Sequence, residues 1–148
     1  MKKIILLTAI IGLLSACERE MPTESTPLAD AIKDKSWMVI ADSTISSAGS
    51  VENNYSSLPD CEKDNLYQFK STKSLVIDEG ASKCNANDAQ SITIGIWSIN
   101  ETSKTLTLTS AEKVDFKIES VSGTNLVLKS TETLNGITLT EVVTFKAQ

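Results

Sequence analysis

The sequence predicts an all-β fold: an eight-stranded antiparallel up-and-down barrel with a short helical turn before the first strand. Three observations lead there. From Trp37 onward the chain is rich in valine, isoleucine, threonine and aromatic residues, set in short runs of period two. Turn residues separate the runs, mostly by gaps short enough to make hairpins of neighbours. Asn135-Gly136, the strongest two-residue hairpin signal, stands between two runs whose apolar residues match across it. Eight short strands in hairpin order suit an up-and-down barrel.

Residues 1–16 precede this domain. Met1-Lys2-Lys3, an apolar run from Ile4 to Leu14 and the small residues Ser15-Ala16 are the parts of a secretory signal peptide. An apolar run of about 11 residues falls well short of the roughly 20 that span a bilayer. The ending Leu14-Ser15-Ala16-Cys17 resembles the lipobox of bacterial lipoproteins. That resemblance implies cleavage before Cys17 and acylation of its thiol and new amine by fatty acids such as palmitate. Several chains on one residue make a stable anchor, where one alone binds marginally. The expected place is the cell envelope, anchored to the outer membrane at its periplasmic face or at the cell surface.

Residues 17–30 read as lipidated cysteine and tether, polar and punctuated by proline. Thr26 can cap a short helix with Pro27 at its first position, running to Lys33. Leu28, Ala31 and Ile32 then share one face and close something apolar. Residues 31–148 form the barrel domain.

Composition excludes several functions. Cleavage removes Lys2 and Lys3 from the 14 basic residues and none of the 19 acids, so the formal charge moves from −5 to about −7. An acidic chain without a basic cluster repels phosphate backbones, so nucleic acid is not an expected partner. The only arginine is Arg19, beside the lipid, which leaves the domain without a bidentate fork for anions. Histidine is absent altogether. No Ser-His-Asp or Cys-His arrangement can form, and nothing points to catalysis by carboxylates or lysine. No cofactor, metal site or enzymatic activity is expected.

The eight strands are read at 37–42, 66–71, 74–78, 91–99, 105–110, 114–121, 126–133 and 137–146. Between the first two lies a long polar loop, 43–65, of a length that is usually functional or disordered. A two-residue turn at Asn135-Gly136 pairs Leu134 with Ile137, Leu128 with Val143 and Leu126 with Phe145, so apolar meets apolar on one face. Cys61 and Cys84 lie equally far from a turn centred between Thr72 and Lys73, so a hairpin there brings them together. Pairing Tyr67 with Ile77 and Phe69 with Leu75 instead shifts the register by one, which a bulge or a looser turn would absorb. An exported compartment permits the disulfide. Free thiols or metal ligands are the alternatives, although a metal would want more than two cysteines without histidine. One run resists: Ile92, Ile94 and Ile96 share one face but Gly95, Trp97 and Ile99 the other. A face-switching bulge near Gly95 or a strand covered on both sides would explain it.

On these residues the chain resembles the lipocalin-like domains of small Bacteroidota lipoproteins. The features are Lys35-Ser36-Trp37 opening the first strand and the stretch from Cys61 to Phe69 leading into the second. Cys84, Gly95-Ile96-Trp97, Leu106-Thr107-Leu108, Leu126-Val127-Leu128 and Thr144-Phe145-Lys146 follow in order. The resemblance covers about residues 33–147 and implies a small barrel. The lipocalin pattern has glycine where Lys35 stands, and an arginine over the tryptophan that this barrel lacks.

Tyr67, Phe69, Trp97, Phe116 and Phe145 are expected to point inward, either filling the barrel or lining a cavity for one small ligand. Trp37 and Trp97 are expected to close one end. Glu132 and Glu141 fall on the face of Leu126, Leu128, Leu139 and Val143. They mark a polar cavity with a raised pKa, a site that binds a cationic ligand group, or a hairpin end that overhangs into water. Asp60, Glu62 and Asp64 are spaced somewhat like a calcium loop but lack its glycine, and read as a solvated acidic loop. The function expected is non-enzymatic binding of a small apolar or amphipathic ligand within the barrel. The alternative is a protein-interaction module, inhibiting a hydrolase or serving an envelope complex through its barrel-mouth loops.

Overall fold

In a computed structural model, which describes residues 26–148, the period-two runs become nine strands. In chain order the elements are α1 (Leu28–Ile32), β1 (Ser36–Ser46), β2 (Val51–Asn53), α2 (Asn54–Ser57), α3 (Asp60–Lys63), β3 (Leu66–Phe69), β4 (Ser74–Asp78), β5 (Ser91–Asn100), β6 (Thr105–Thr109), β7 (Lys113–Val121), β8 (Asn125–Leu134) and β9 (Ile137–Ala147). The signal segment, Cys17 and the tether before Thr26 lie outside the described residues. Strands β3 to β9 pair in sequence order, and β1 pairs with both β3 and β9. Eight antiparallel strands thus close into an up-and-down barrel. The ninth, β2, folds back on the far end of β1, pairing Val51 with Ile45.

The β8–β9 hairpin keeps the register that its turn dictates, with Leu134 opposite Ile137, Leu128 opposite Val143 and Leu126 opposite Phe145. Asn135 and Gly136 both have positive φ, 52° and 80°, which suits a two-residue turn that follows the right-handed strand twist. The β3–β4 hairpin takes the shifted register, Tyr67 with Ile77 and Phe69 with Leu75. Its turn absorbs the odd residue: Lys73 N–H donates to the Lys70 carbonyl at 2.8 Å while Lys73 itself turns left-handed, φ 72°. Cys61 and Cys84 are disulfide-bonded with Cα atoms 5.2 Å apart, pinning α3 to the β4–β5 loop.

Three one-residue bulges interrupt the alternation. Ile40 is extra between Val39 and Ala41, Ile94 between Thr93 and Gly95, and Glu119 between Ile118 and Ser120. The bulge at Ile94 answers the isoleucine puzzle. It lets Ile92, opposite Ile77, and Trp97 both serve the inner side, while Ile96 is left 59% exposed on the outside. Gly95 is required here because a Cβ would lie 2.3 Å from the Thr109 carbonyl oxygen.

The core sits at one end. Trp37, Phe69, Leu75, Trp97, Leu106, Ile118, Leu126, Leu128 and Phe145 are buried together there, with Ile32 of α1 as the plug. Full burial of a side chain like Ile32 contributes about 1.5–3 kcal/mol. Both tryptophans close this end. Trp37 Nε1 donates to the Ile32 carbonyl and Trp97 Nε1 to the Lys70 carbonyl, each at 2.9 Å. The Lys35 ammonium lies 5.5 Å from the Trp37 ring centroid, so a cation does cover that tryptophan. Thr26 does not cap α1. Pro27 is the N-cap and makes no side-chain cap bond, and the Leu28 and Ala29 amides donate instead to the Glu101 carboxylate at 2.9 and 3.0 Å.

The opposite end is open. Strands β7 and β8 pair only over residues 117–121, so among the described residues the outer part of β8 pairs with β9 alone. Likewise β5 meets β6 only from Ile96 onward. The barrel wall therefore divides at this end into projecting hairpins, whose apolar residues are half bare: Leu134 is 58% and Ile92 56% exposed.

The segment 43–65 is more ordered than a polar loop. Its first residues extend β1 to Ser46, and β2, α2 and α3 follow. The Asn53 side chain caps α2 by accepting the Ser56 amide at 3.0 Å. The Asn54 amide spans Asp42 and Thr44 of β1, 3.0 Å from each. The segment is thereby laid across the open end.

Candidate functional site

Above the buried core the barrel holds a cavity of about 230 Å³. Its floor and walls are Phe69, Leu75, Leu108, Phe116, Leu128 and Phe145, with Val39, Tyr67 and Val143 higher up. Leu58, between α2 and α3, leans over it, and Asp42 and Glu141 supply its polar rim. An adjoining compartment of about 180 Å³ shares Leu75, Leu108 and Phe116 and extends beneath Ile94 and Val114. A third, about 170 Å³, continues outward past Glu141 to Glu132, Thr44, Ser130 and Leu139. The larger groove of about 520 Å³ lies outside the barrel, between α1 and the β7–β8 turn, and adjoins Thr26, the first described residue. It has no apolar enclosure like that of the barrel interior.

The aromatic residues divide by height. Tyr67 meets Phe145 edge-on with ring centroids 5.6 Å apart, and Phe69 meets Trp97 likewise at 5.7 Å. Tyr67, Phe69 and Phe116 line the cavity. Trp97 does not: it lies below Phe69, its outer side covered by the Lys73 ammonium 4.2 Å from the ring centroid. Its place is the closed end, because the bulge at Ile94 directs the strand's inward positions there.

The two glutamates also part company. Glu141 faces the cavity and accepts the Ser130 hydroxyl at 3.1 Å, whereas Glu132 is exposed and borders only the outer compartment. The overhanging end of the hairpin thus carries Glu132, and Glu141 stands at the cavity. Asp42 joins Glu141 on the rim, where its Oδ1 accepts the Asn54 amide. None of these three carboxylates has an ion-pair partner among the described residues, and no lysine lines the cavity or its outer compartment. Burial raises the pKa of the Tyr67 phenol, and the negative charges of Glu62 and Asp42 add to the effect.

Asp64 belongs to the framework rather than to a solvated loop. Its Oδ2 accepts the amides of Ala81 and Ser82 and the Ser82 hydroxyl, at 2.8 to 3.0 Å. These bonds, the Ser82 hydroxyl first, hold its carboxyl below the usual carboxylate range. Beside the disulfide they fix the β4–β5 loop. Among the described residues no group of three Asp, Glu, Cys or His side chains is placed to hold a metal ion.

Asp42 and Leu58 are site residues that alternation alone does not single out. Counting by two from Trp37 puts Asp42 outside; the extra residue Ile40 turns it in, opposite Val143. Fold and site together define a small closed barrel with an apolar interior and an acidic rim. Comparisons with protein families, curated proteins and solved structures give no match.

Proposed function

We propose that this chain is a lipid-anchored protein of the cell envelope whose lipocalin-like barrel holds a small apolar or amphipathic molecule without transforming it. The observation that carries this reading is the cavity: apolar and aromatic below, sealed at one end by Trp37, Trp97 and Ile32, open at the other. A core that merely filled the barrel would leave no such space. Size narrows the occupant. A cavity of about 150 Å³ takes benzene, and drug-sized ligands occupy about 300–1,000 Å³. At about 230 Å³ the cavity suits a small molecule, or the apolar end of a longer one that continues past the rim. The lack of histidine favours a carrier over a hydrolase. The signal segment and Cys17 support the anchor.

The test is titration with an apolar fluorescent probe, beside native mass spectrometry after exposure to a whole cell-envelope extract. Val143→Phe, which fills the cavity from β9, should weaken probe binding about tenfold or more, in line with the loss of a ligand-sized space. The mass spectrum should show one discrete small adduct. Equal probe binding by Val143→Phe would place the probe outside the barrel. A protein-sized adduct in place of the small one would favour the interaction module, acting through the segment 43–65.

A further inference from the structure

We propose that the barrel selects amphiphiles with a cationic head, an alkyl or aryl ammonium whose apolar part fills the cavity while its charge rests between Asp42 and Glu141. The inference deepens the carrier reading and rests on it. The cavity is the site; the carboxylates decide what may stand at its rim. Asp42 lies opposite Val143 and Glu141 opposite Thr44 in the β1–β9 pairing, so the two acids are diagonal neighbours on the inner face. Each has spent one oxygen on a neutral donor, Asp42 Oδ1 on the Asn54 amide and Glu141 Oε2 on the Ser130 hydroxyl. Among the described residues the second oxygen of each has no protein donor.

Two carboxylates beside an apolar cavity set up a negative potential that no lysine of the lining offsets. Glu132, farther out on the same wall, extends it towards water. The Tyr67 phenol is shifted up by burial first, and the charges of Glu62 and Asp42 add to it. A fatty carboxylate entering here would bring a third negative charge against two fixed ones. An ammonium would instead complete both carboxylates, and the Tyr67 ring in the upper wall offers it further attraction.

The experiment uses the full chain carrying Cys17→Ser, with its disulfide formed, and three probes of equal apolar length: octylamine, 1-octanol and octanoate. Calorimetric titration at low ionic strength and neutral pH should rank them in that order. Octylammonium should bind about tenfold or more tighter than octanoate, as expected for a charge near a partly screened pair. Asp42→Asn with Glu141→Gln should abolish the preference and keep 1-octanol binding. Asp88→Asn with Glu119→Gln removes the same charge from the exposed outer surface and should leave the preference intact. Octanoate binding as tightly as octylammonium would overturn the inference, as would a preference that survives the rim variant or disappears equally in the surface variant. If 1-octanol binds but no preference appears, only the charge selection fails. If none of the three binds, the carrier reading fails and this inference with it.

Discussion

Tyr67 carries a phenol that burial, and then the charges of Glu62 and Asp42, keep protonated. An acid whose pKa is raised by folding keeps a proton that the unfolded chain would release. Stability linked to Tyr67 is therefore intact below about pH 10, the ordinary tyrosine value, and is lost as pH rises through the folded value. In a Tyr55→Phe background, ultraviolet titration should show the Tyr67 phenolate forming above about pH 10. Adding Asp42→Asn should move it down part of the way, because burial is the larger cause. An unmoved titration would mean that the Asp42 charge does not reach the phenol. Asp42 also shows where reading by residue stops. The apolar and aromatic wall was legible because Tyr67, Phe69, Phe116 and Phe145 keep strict alternation within their strands. Asp42 was hidden by a single inserted residue, Ile40, which nothing in a Met-Val-Ile-Ala run announces. Gly95 was easier to suspect, because a glycine inside a strand signals a bulge or a close backbone approach, and here both occur.

Among the elements, turn chemistry made the hairpins readable. Asn135-Gly136 allowed one register, and the cysteines constrained another to within one residue. The disulfide spans a sequence separation of 23, so it should stabilise the fold by about 3 kcal/mol on the chain-entropy argument. Cys61→Ser should lower the thermal midpoint by an amount consistent with that loss and leave Cys84 reactive to a thiol probe. An unchanged midpoint would mean that the Asp64 bonds to Ala81 and Ser82 hold the β4–β5 loop by themselves. The segment 43–65 was less legible because its order does not come from an apolar face. It comes from Asn53 and Pro59, the N-caps of helices of four residues, from the Asn54 amide bound to Asp42 and Thr44, and from the short strand β2 on the edge of β1. The capping residues were visible, but four-residue helices bury too little to leave a periodic pattern.

At the scale of the whole molecule, the barrel is asymmetric along its axis. Nearly all full burial is at one end, and the cavity and the unpaired hairpins are at the other. The proposed anchor can be tested apart from the barrel. Cys17→Ser should move the protein from the membrane fraction to the soluble envelope fraction with its thermal midpoint unchanged, and retention in membranes would place the attachment elsewhere. Both ends of the described chain meet at the sealed end: α1 is packed against Trp37, and the Gln148 amide donates to the Ser36 carbonyl at 2.9 Å. The barrel is thus a cup whose base carries both ends of the described chain. The acidic rim lies at the other end of the barrel from both described termini, so a tag joined at Gln148 sits away from it.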